Sequence, residues 1–294
     1  MKVLVFGSMN IDYVYSVDHM VQVGETENSF GMSINPGGKG LNQSIALARA
    51  GAKVWHAGMV GEEGQNLIDK CVENGVDVTY VRTVEGRSGH TIIQVDAEGD
   101  NSIILFGGAN RCMTKDFIDE VLSGFESGDM ILLQNEINLL DVIIDKAYEK
   151  GLQIVLNPSP YNEVLAKCDL SKVSYFLLNE IEGFQMTGEK EPDKILQEIH
   201  RIYPKAKTVL TLGEDGSIYM DGEEIYRQEA YKVKAVDTTA AGDTFTGYFI
   251  ASLIKGLTPP EALDLASKAS AMAVTKPGAM DSIPVLEEVE RYSE

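Results

Sequence analysis

Apolar runs recur along the chain with helical stretches between them: Val3 to Phe6, Val54 to Val60, Met130 to Leu133, Ile154 to Leu156, Tyr175 to Leu178 and Thr208 to Leu212. Each run is continuous rather than alternating, as in strands of a parallel sheet buried on both faces by helices. Ligands of such sheets sit at the carboxyl ends of the strands, where Asn10, Glu136, Asn157 and Asn179 fall. Two stretches break the rhythm, residues 12–35 and 88–106. There the alternation Thr91-Ile92-Ile93-Gln94-Val95 and the turn Ala97-Glu98-Gly99-Asp100 predict antiparallel hairpins. The expected class is α/β: three α/β/α layers on a mostly parallel central sheet, with a small antiparallel sheet attached. Residues 1–11, 36–87 and 107–294 make the main unit, and 12–35 with 88–106 make the small sheet. Its expected job is that of a lid that keeps water from a reacting substrate. A plain insertion or a dimer contact fits the same pattern.

Several helix boundaries are marked. Thr258-Pro259-Pro260-Glu261 is a capping box with proline at the first helical position, starting a helix that runs to about Thr275, and Gly256 closes the helix before it. That earlier helix carries Phe245, Phe249 and Leu253 on one face. It opens with Ala240-Ala241-Gly242-Asp243, where small residues leave backbone N–H groups uncovered beside a carboxylate. Such a start can hold a phosphoryl group through its free donors and dipole, and the carboxylate is placed to take a proton from an attacking hydroxyl. The same residues also describe an ordinary cap, with Asp243 satisfying exposed amides. A second glycine-rich helix start lies upstream, Asn35-Pro36-Gly37-Gly38-Lys39-Gly40-Leu41-Asn42-Gln43. No Walker-type or Gly-x-Gly-x-x-Gly loop stands in the expected places, which favours a helix-start anion site and argues against a nicotinamide enzyme on a similar sheet.

Composition narrows the partners. With 294 residues and 44% hydrophobic content, the chain can bury a large core, and no internal repeat or Pro/Gly/Ser-rich linker divides it. Forty-five acidic against 25 basic residues give a formal charge of −20, and no Lys/Arg cluster offers a footprint for nucleic acid or an anionic membrane. That surplus also repels a free nucleotide, so an ATP site would need Mg²⁺ and local donors. After Met1-Lys2 an apolar run of only four residues, Val3 to Phe6, precedes Gly7, too few for a signal-peptide core or a membrane span, so a cytoplasmic protein is expected. Cys71, Cys112 and Cys168 match neither a disulfide framework nor a zinc spacing. His19, His56, His90 and His200 are scattered without a nucleophile or ligand pattern.

Seven motifs run in order along the chain: Gly7-Ser8-Met9-Asn10-Ile11-Asp12, Gly37-Gly38-Lys39-Gly40-Leu41-Asn42-Gln43, Gly107-Gly108-Ala109-Asn110, Asn157-Pro158-Ser159-Pro160, Asn179-Glu180-Ile181-Glu182, Thr211-Leu212-Gly213 and the Asp237 to Asp243 segment. Together they resemble the ribokinase-like carbohydrate kinases over nearly the whole chain. The resemblance implies that Asn10, Asp12, Gly38, Lys39, Asn42, Glu136 and Asp243 contact a sugar. It also implies that Asp243 is the general base deprotonating the sugar's terminal hydroxymethyl as it attacks the γ-phosphoryl group of ATP. Ala240, Ala241 and Gly242 would form the anion hole, with the Ala241 and Gly242 amides as donors. Asn179, Thr211, Gly213 and Gly242 fall in the nucleotide site, and residues 268–272, equally suited to helix packing, are adenine-pocket candidates. Asn179 and Glu182 would position Mg²⁺ through water. K⁺ would sit among Asp237, Thr239, Ala273, Lys276, Gly278 and Ser282, several offering only carbonyls. A homodimer through the lid is the implied assembly.

Asp12 is suited to grip a pair of hydroxyls, and a site built on such bonds rejects sugars that leave its polar groups unpaired. For Lys39 a surface charge in a mobile loop is the competing view; for Glu182 it is a first-turn acid favoured by the helix dipole. D-Ribose, giving ribose 5-phosphate, is the first expected substrate. Deoxyribose, another pentose, a ketohexose or a nucleoside would use the same machinery, and a sugar-binding regulator without catalysis is the reading from another class. Leu41 in place of the usual alanine, Gln134-Asn135 before Glu136, and the segment Tyr13 to Val21 depart from the pattern and bear on the sugar pocket.

Overall fold

The computed structural model describes residues 1–292. Its strands are β1 (Val3–Phe6), β2 (Asn10–Ser16), β3 (Gly31–Gly37), β4 (Val54–Val60), β5 (Asp77–Thr83), β6 (Gly89–Val95), β7 (Asn101–Phe106), β8 (Met130–Gln134), β9 (Gln153–Asn157), β10 (Tyr175–Asn179), β11 (Lys207–Thr211), β12 (Ser217–Asp221) and β13 (Glu224–Gln228). The α-helices are α1 (Lys39–Arg49), α2 (Gln65–Glu73), α3 (Lys115–Ser123), α4 (Leu140–Glu149), α5 (Glu180–Thr187), α6 (Pro192–Ile202), α7 (Ala241–Ile254), α8 (Pro259–Ala273) and α9 (Leu286–Arg291).

A nine-stranded sheet in the order β13-β12-β11-β10-β9-β8-β1-β4-β5 forms the middle layer. Strands β11 through β5 along that order run parallel, and β12 and β13 close one edge as an antiparallel hairpin. Side chains alternate across a strand, so β1 feeds two cores. Leu4 and Phe6 pack with α3, α4 and α6, while Val3 and Val5 pack with α1, α7 and α8. This is the expected three-layer arrangement, and it explains why the strands read as unbroken apolar runs. The chain goes from β1 to β4 and β5 on one side and to β8 and beyond on the other, so β1 and β8 flank a switch point where sheets of this kind bind ligands.

The second sheet has the order β3-β2-β6-β7. Its outer pairings are antiparallel, as the hairpin signals predict, whereas the central pairing of β2 with β6 is parallel. The reason is topological: β2 and β6 come from different insertions and both leave the main body in the same direction. The strands reach Asn10 and Gly37, two residues beyond the expected limits at each end of the first insertion. At the helix boundaries, α8 begins at Pro259 behind its capping box and ends at Ala273, and Gly256 takes a φ of 85° after α7. Leu41, expected to bear on the sugar pocket, turns inward instead. It is fully buried in the core between α1 and the sheet, where a leucine contributes about 1.5–3 kcal/mol.

Candidate active site

Four polar residues end four adjacent parallel strands: Gln134 on β8, Asn157 on β9, Asn179 on β10 and Thr211 on β11, with Gln134 in register with Asn157 and Asn179 in register with Thr211. Above them lies a cavity of about 220 Å³ lined by Lys39, Asn157, Asn179, Glu182, Thr211, Thr238 and residues 240–243. The start of α7 forms one wall. Ala240 adopts left-handed backbone (φ 59°), a strained conformation for a residue with a Cβ, and it turns the chain so that the first amides of α7 face the cleft.

The amide inventory departs from expectation at one residue. The Ala241 N–H donates to the Thr238 carbonyl at 3.2 Å and is not free. Among the described residues the Gly242 and Asp243 N–H groups have no acceptor, so the donor pair lies one residue further along the helix. A Cβ on Gly242 would meet nothing within 4 Å, which leaves the space over these amides open to a ligand. The Ala241 carbonyl accepts a bond from Ser270 Oγ at 3.1 Å, fixing the start of α7 against the part of α8 that holds the adenine-pocket candidates.

Asp243 is buried and clamped. Its Oδ2 accepts from Asn42 Nδ2 at 3.0 Å and its Oδ1 from Gln43 Nε2 at 2.8 Å, both near the start of α1. The competing reading of Asp243 as a plain cap fails here, because no amide of α7 donates to its side chain. Lys39, the first residue of α1, stands between Asp243, Glu136 and Glu182. Burial works against its charge, and those three carboxylates outweigh it, so the ammonium is held above its usual range.

The expected sugar residues gather on the other side of Lys39. Glu136 accepts from Ser8 Oγ and from the Lys39 N–H at 3.2 Å; burial pushes its carboxyl up against the pull of Lys39. Asp12 accepts from Thr91 Oγ1 at 2.5 Å, and burial likewise raises it. Asn10 Oδ1 accepts from Asn110 Nδ2 at 2.7 Å. Gly37 lets Asp12 approach, since a Cβ there would collide with the carboxylate, and Gly38, at φ 94°, turns the chain into α1.

Asn179 and Glu182 form a capping box on α5. Asn179 Oδ1 accepts from the Ile181 and Glu182 amides at 2.9 and 3.0 Å, and Glu182 Oε2 accepts from the Asn179 N–H at 2.9 Å. The Asn179 oxygen, which accepts two bonds, is therefore committed to the helix, and the Glu182 carboxylate is what remains for a hydrated magnesium ion, with Oε1 free of protein hydrogen bonds among the described residues. Gly213 sits in a separate turn at φ 56° and does not line the cavity. Asp237 ties two loops together, accepting from the Thr239 N–H at 2.9 Å and the Gly278 N–H at 2.8 Å. Burial alone would raise its carboxyl, and these donors outweigh it and hold it low. Ala273 is buried at the end of α8, with its carbonyl accepting from the Lys276 N–H, and Ser282 Oγ donates to the Ala279 carbonyl. The Lys276 ammonium turns instead to Glu288, 3.8 Å away.

A carboxylate base, two free amides and a lysine in one cavity are the parts of phosphoryl transfer to an alcohol. The sequence pattern of the pfkB family carbohydrate kinases matches residues 1–286. The chain belongs to that family. Among pfkB relatives, a ribokinase of Staphylococcus aureus (strain COL) is 36% identical, with 98% of each chain covered. A deoxyribokinase of Salmonella typhi is 31% identical over 99% of this chain and 98% of that one. Among solved structures, an Arabidopsis thaliana ribokinase complexed with ribose and ATP superposes with a TM-score of 0.85 at 28% identity, covering 99% of both chains. The geometry of this pfkB carbohydrate kinase also brings to the site residues that sequence reasoning gave no specific role: Gln43, Asn157, Ser159 and Thr238, all inside quoted motifs, and Gln134 outside them.

Proposed function

We propose that this carbohydrate kinase transfers the γ-phosphoryl group of ATP to the terminal hydroxymethyl of D-ribose, giving ribose 5-phosphate. The observation that carries the reading is Asp243, clamped by two side-chain amides beside the free Gly242 and Asp243 N–H groups. In the reaction, Asp243 accepts the hydroxymethyl proton as that oxygen attacks the γ-phosphorus, and the bond to the ADP oxygen breaks. The Gly242 and Asp243 amides stabilise the charge that develops on the transferred group, and Lys39 adds a fixed positive charge. Asn10, Asp12 and Glu136 hold the sugar by its ring hydroxyls, while the small sheet covers the site and keeps water out.

Support for ribose and ATP comes from the relatives' named substrates and the bound ligands of the Arabidopsis structure. The deoxyribokinase relative favours deoxyribose as the second substrate to test. Magnesium would be held through water by Glu182, oriented by the Asn179 cap, and would neutralise phosphate charge in a chain of formal charge −20. Potassium fits beside Asp237, whose carboxylate supplies the charge while neighbouring carbonyls complete the donor set. Three unpaired cysteines suit a reducing cytoplasm. Among the described residues no helix is long and apolar enough to cross a membrane.

A second copy of this chain is the proposed cover for the outer face of the small sheet. Registered pairing places Ile34, Tyr13, Ile92 and Ile104 in one row across all four strands, and the three isoleucines are exposed. On the opposite face Asp12 and Thr91 meet the site. An exposed apolar row of this kind on a lid suits an interface, and a second copy meeting it through a twofold axis would cover the same row on both partners.

The test is ADP release from Mg-ATP with a panel of pentoses, hexoses and nucleosides, with and without K⁺. Ribose-stimulated turnover supports the reading, and preference for another acceptor replaces the substrate. Asp243→Asn should lower kcat by at least about a thousandfold with sugar binding retained. Sugar binding without turnover by the wild type would favour the regulator.

A further inference from the structure

The clamp on Asp243 extends one residue deeper than the site itself. Gln134, the last residue of β8, donates from Nε2 to Gln43 Oε1 at 2.6 Å, and Gln43 in turn donates from Nε2 to Asp243 Oδ1. Both glutamines are fully buried. A carboxamide has an acceptor end and a donor end, so the orientation of Gln43 decides whether Asp243 meets an N–H or a lone pair. The Gln134 N–H, facing the Gln43 oxygen, admits only one orientation.

The far ends of the clamp are left bare. Among the described residues Gln134 Oε1 is buried without a partner, packed so closely on Gly7 that a Cβ there would collide with it, and Asn42 Oδ1 is also buried without a partner. A buried polar atom left without a partner keeps its full desolvation cost, and apolar residues would avoid it. Both arms thus commit their donors to Asp243 and leave their acceptors unsatisfied, which stability alone does not explain.

We propose that Gln134 and Gln43 are positioning residues, a buried amide relay that keeps donors on Asp243 and sets the pH at which it can take the sugar's proton. The inference rests on Asp243 being the base. The charged groups around that carboxylate are Lys39 from α1, Glu136 beyond β8 and Glu182 from α5; His56 on β4 is held neutral by burial.

The experiment follows kcat and both KM values across pH for Gln134→Met and Gln134→Glu, neither of which touches Asp243. Gln134→Met should lower kcat roughly tenfold with both KM values within about twofold, and move the acid limb of kcat to higher pH, since lost donors disfavour the anion. Gln134→Glu keeps the size and, when protonated, the donor; once ionised it turns Gln43 over. It should therefore gain a new loss of turnover as pH rises. Wild-type kcat at every pH in both variants overturns the relay, whatever happens to thermal stability. If the Met variant does not fold, presence or absence of that basic limb in Gln134→Glu decides. Asp243→Asn is the control: wild-type turnover there removes the base assignment itself, whereas an inactive Asp243→Asn beside unaffected Gln134 variants removes only the relay.

Discussion

Replacing Gly242 by alanine should separate stability from activity. Gly242 is the second residue of α7, its φ is not positive, and beyond its own stretch of helix no described residue comes within 4 Å of where its Cβ would stand. The fold therefore loses nothing by the change. Alanine in a helix is favoured over glycine by about 0.5–1 kcal/mol, less near the first turn, and for a chain of this size that raises Tm by about 1 °C or leaves it unchanged. The new methyl nevertheless enters the cavity over the two free amides. Keeping a phosphoryl group from one such donor costs about a hundredfold to a thousandfold in kcat, or about 3–4 kcal/mol of transition-state stabilisation. The assay is coupled ADP release at saturating ATP and sugar, paired with a thermal melt of the same preparation. Turnover within about twofold of wild type, with Tm unchanged or raised, would show that the phosphoryl group does not pass over these amides. A large fall in Tm would refute the packing argument instead.

Three further outcomes are expected. Gly89→Ala drives a Cβ into the Asn10–Asn110 pair and should raise KM for the sugar about tenfold or more, with KM for ATP unchanged, read from steady-state kinetics. His56 is fully buried with its imidazole pushed down to about 4, so the native state binds fewer protons than the unfolded chain between 6.5 and that value. Stability should then fall as pH drops through 6.5, by at most roughly 3 kcal/mol, and His56→Gln should flatten the slope of Tm against pH. Ile92→Glu places a charge in the middle of the exposed row and should convert dimer to monomer by sedimentation, an expectation that a monomeric wild type would defeat.

Long buried strands were legible because burial on both faces leaves an apolar run that few other arrangements produce. The edges were not. Strand β5 carries Asp77, Thr79 and Arg82, and the β12–β13 hairpin has an exposed outer strand, so neither shows a continuous run. Site residues with an unusual local pattern, such as Gly38-Lys39 or Asn179 with Glu182, could be read at a distance. The Asp243 clamp could not, since Gln43 and Gln134 lie 91 residues apart and an amide's direction leaves no trace in spacing. Which amides of α7 stay free depended on one carbonyl, that of Thr238, a matter of turn geometry rather than residue type.

Gly38 is the single residue between the end of β3 and the start of α1. On one side of this joint lies the four-stranded flap that carries Asp12; on the other, within a turn of helix, are the two amides that grip Asp243. Any rocking of the flap would reach the holder of Asp243 through this one joint, and in the proposed reaction that would couple arrival of the carbohydrate to the placing of its proton acceptor.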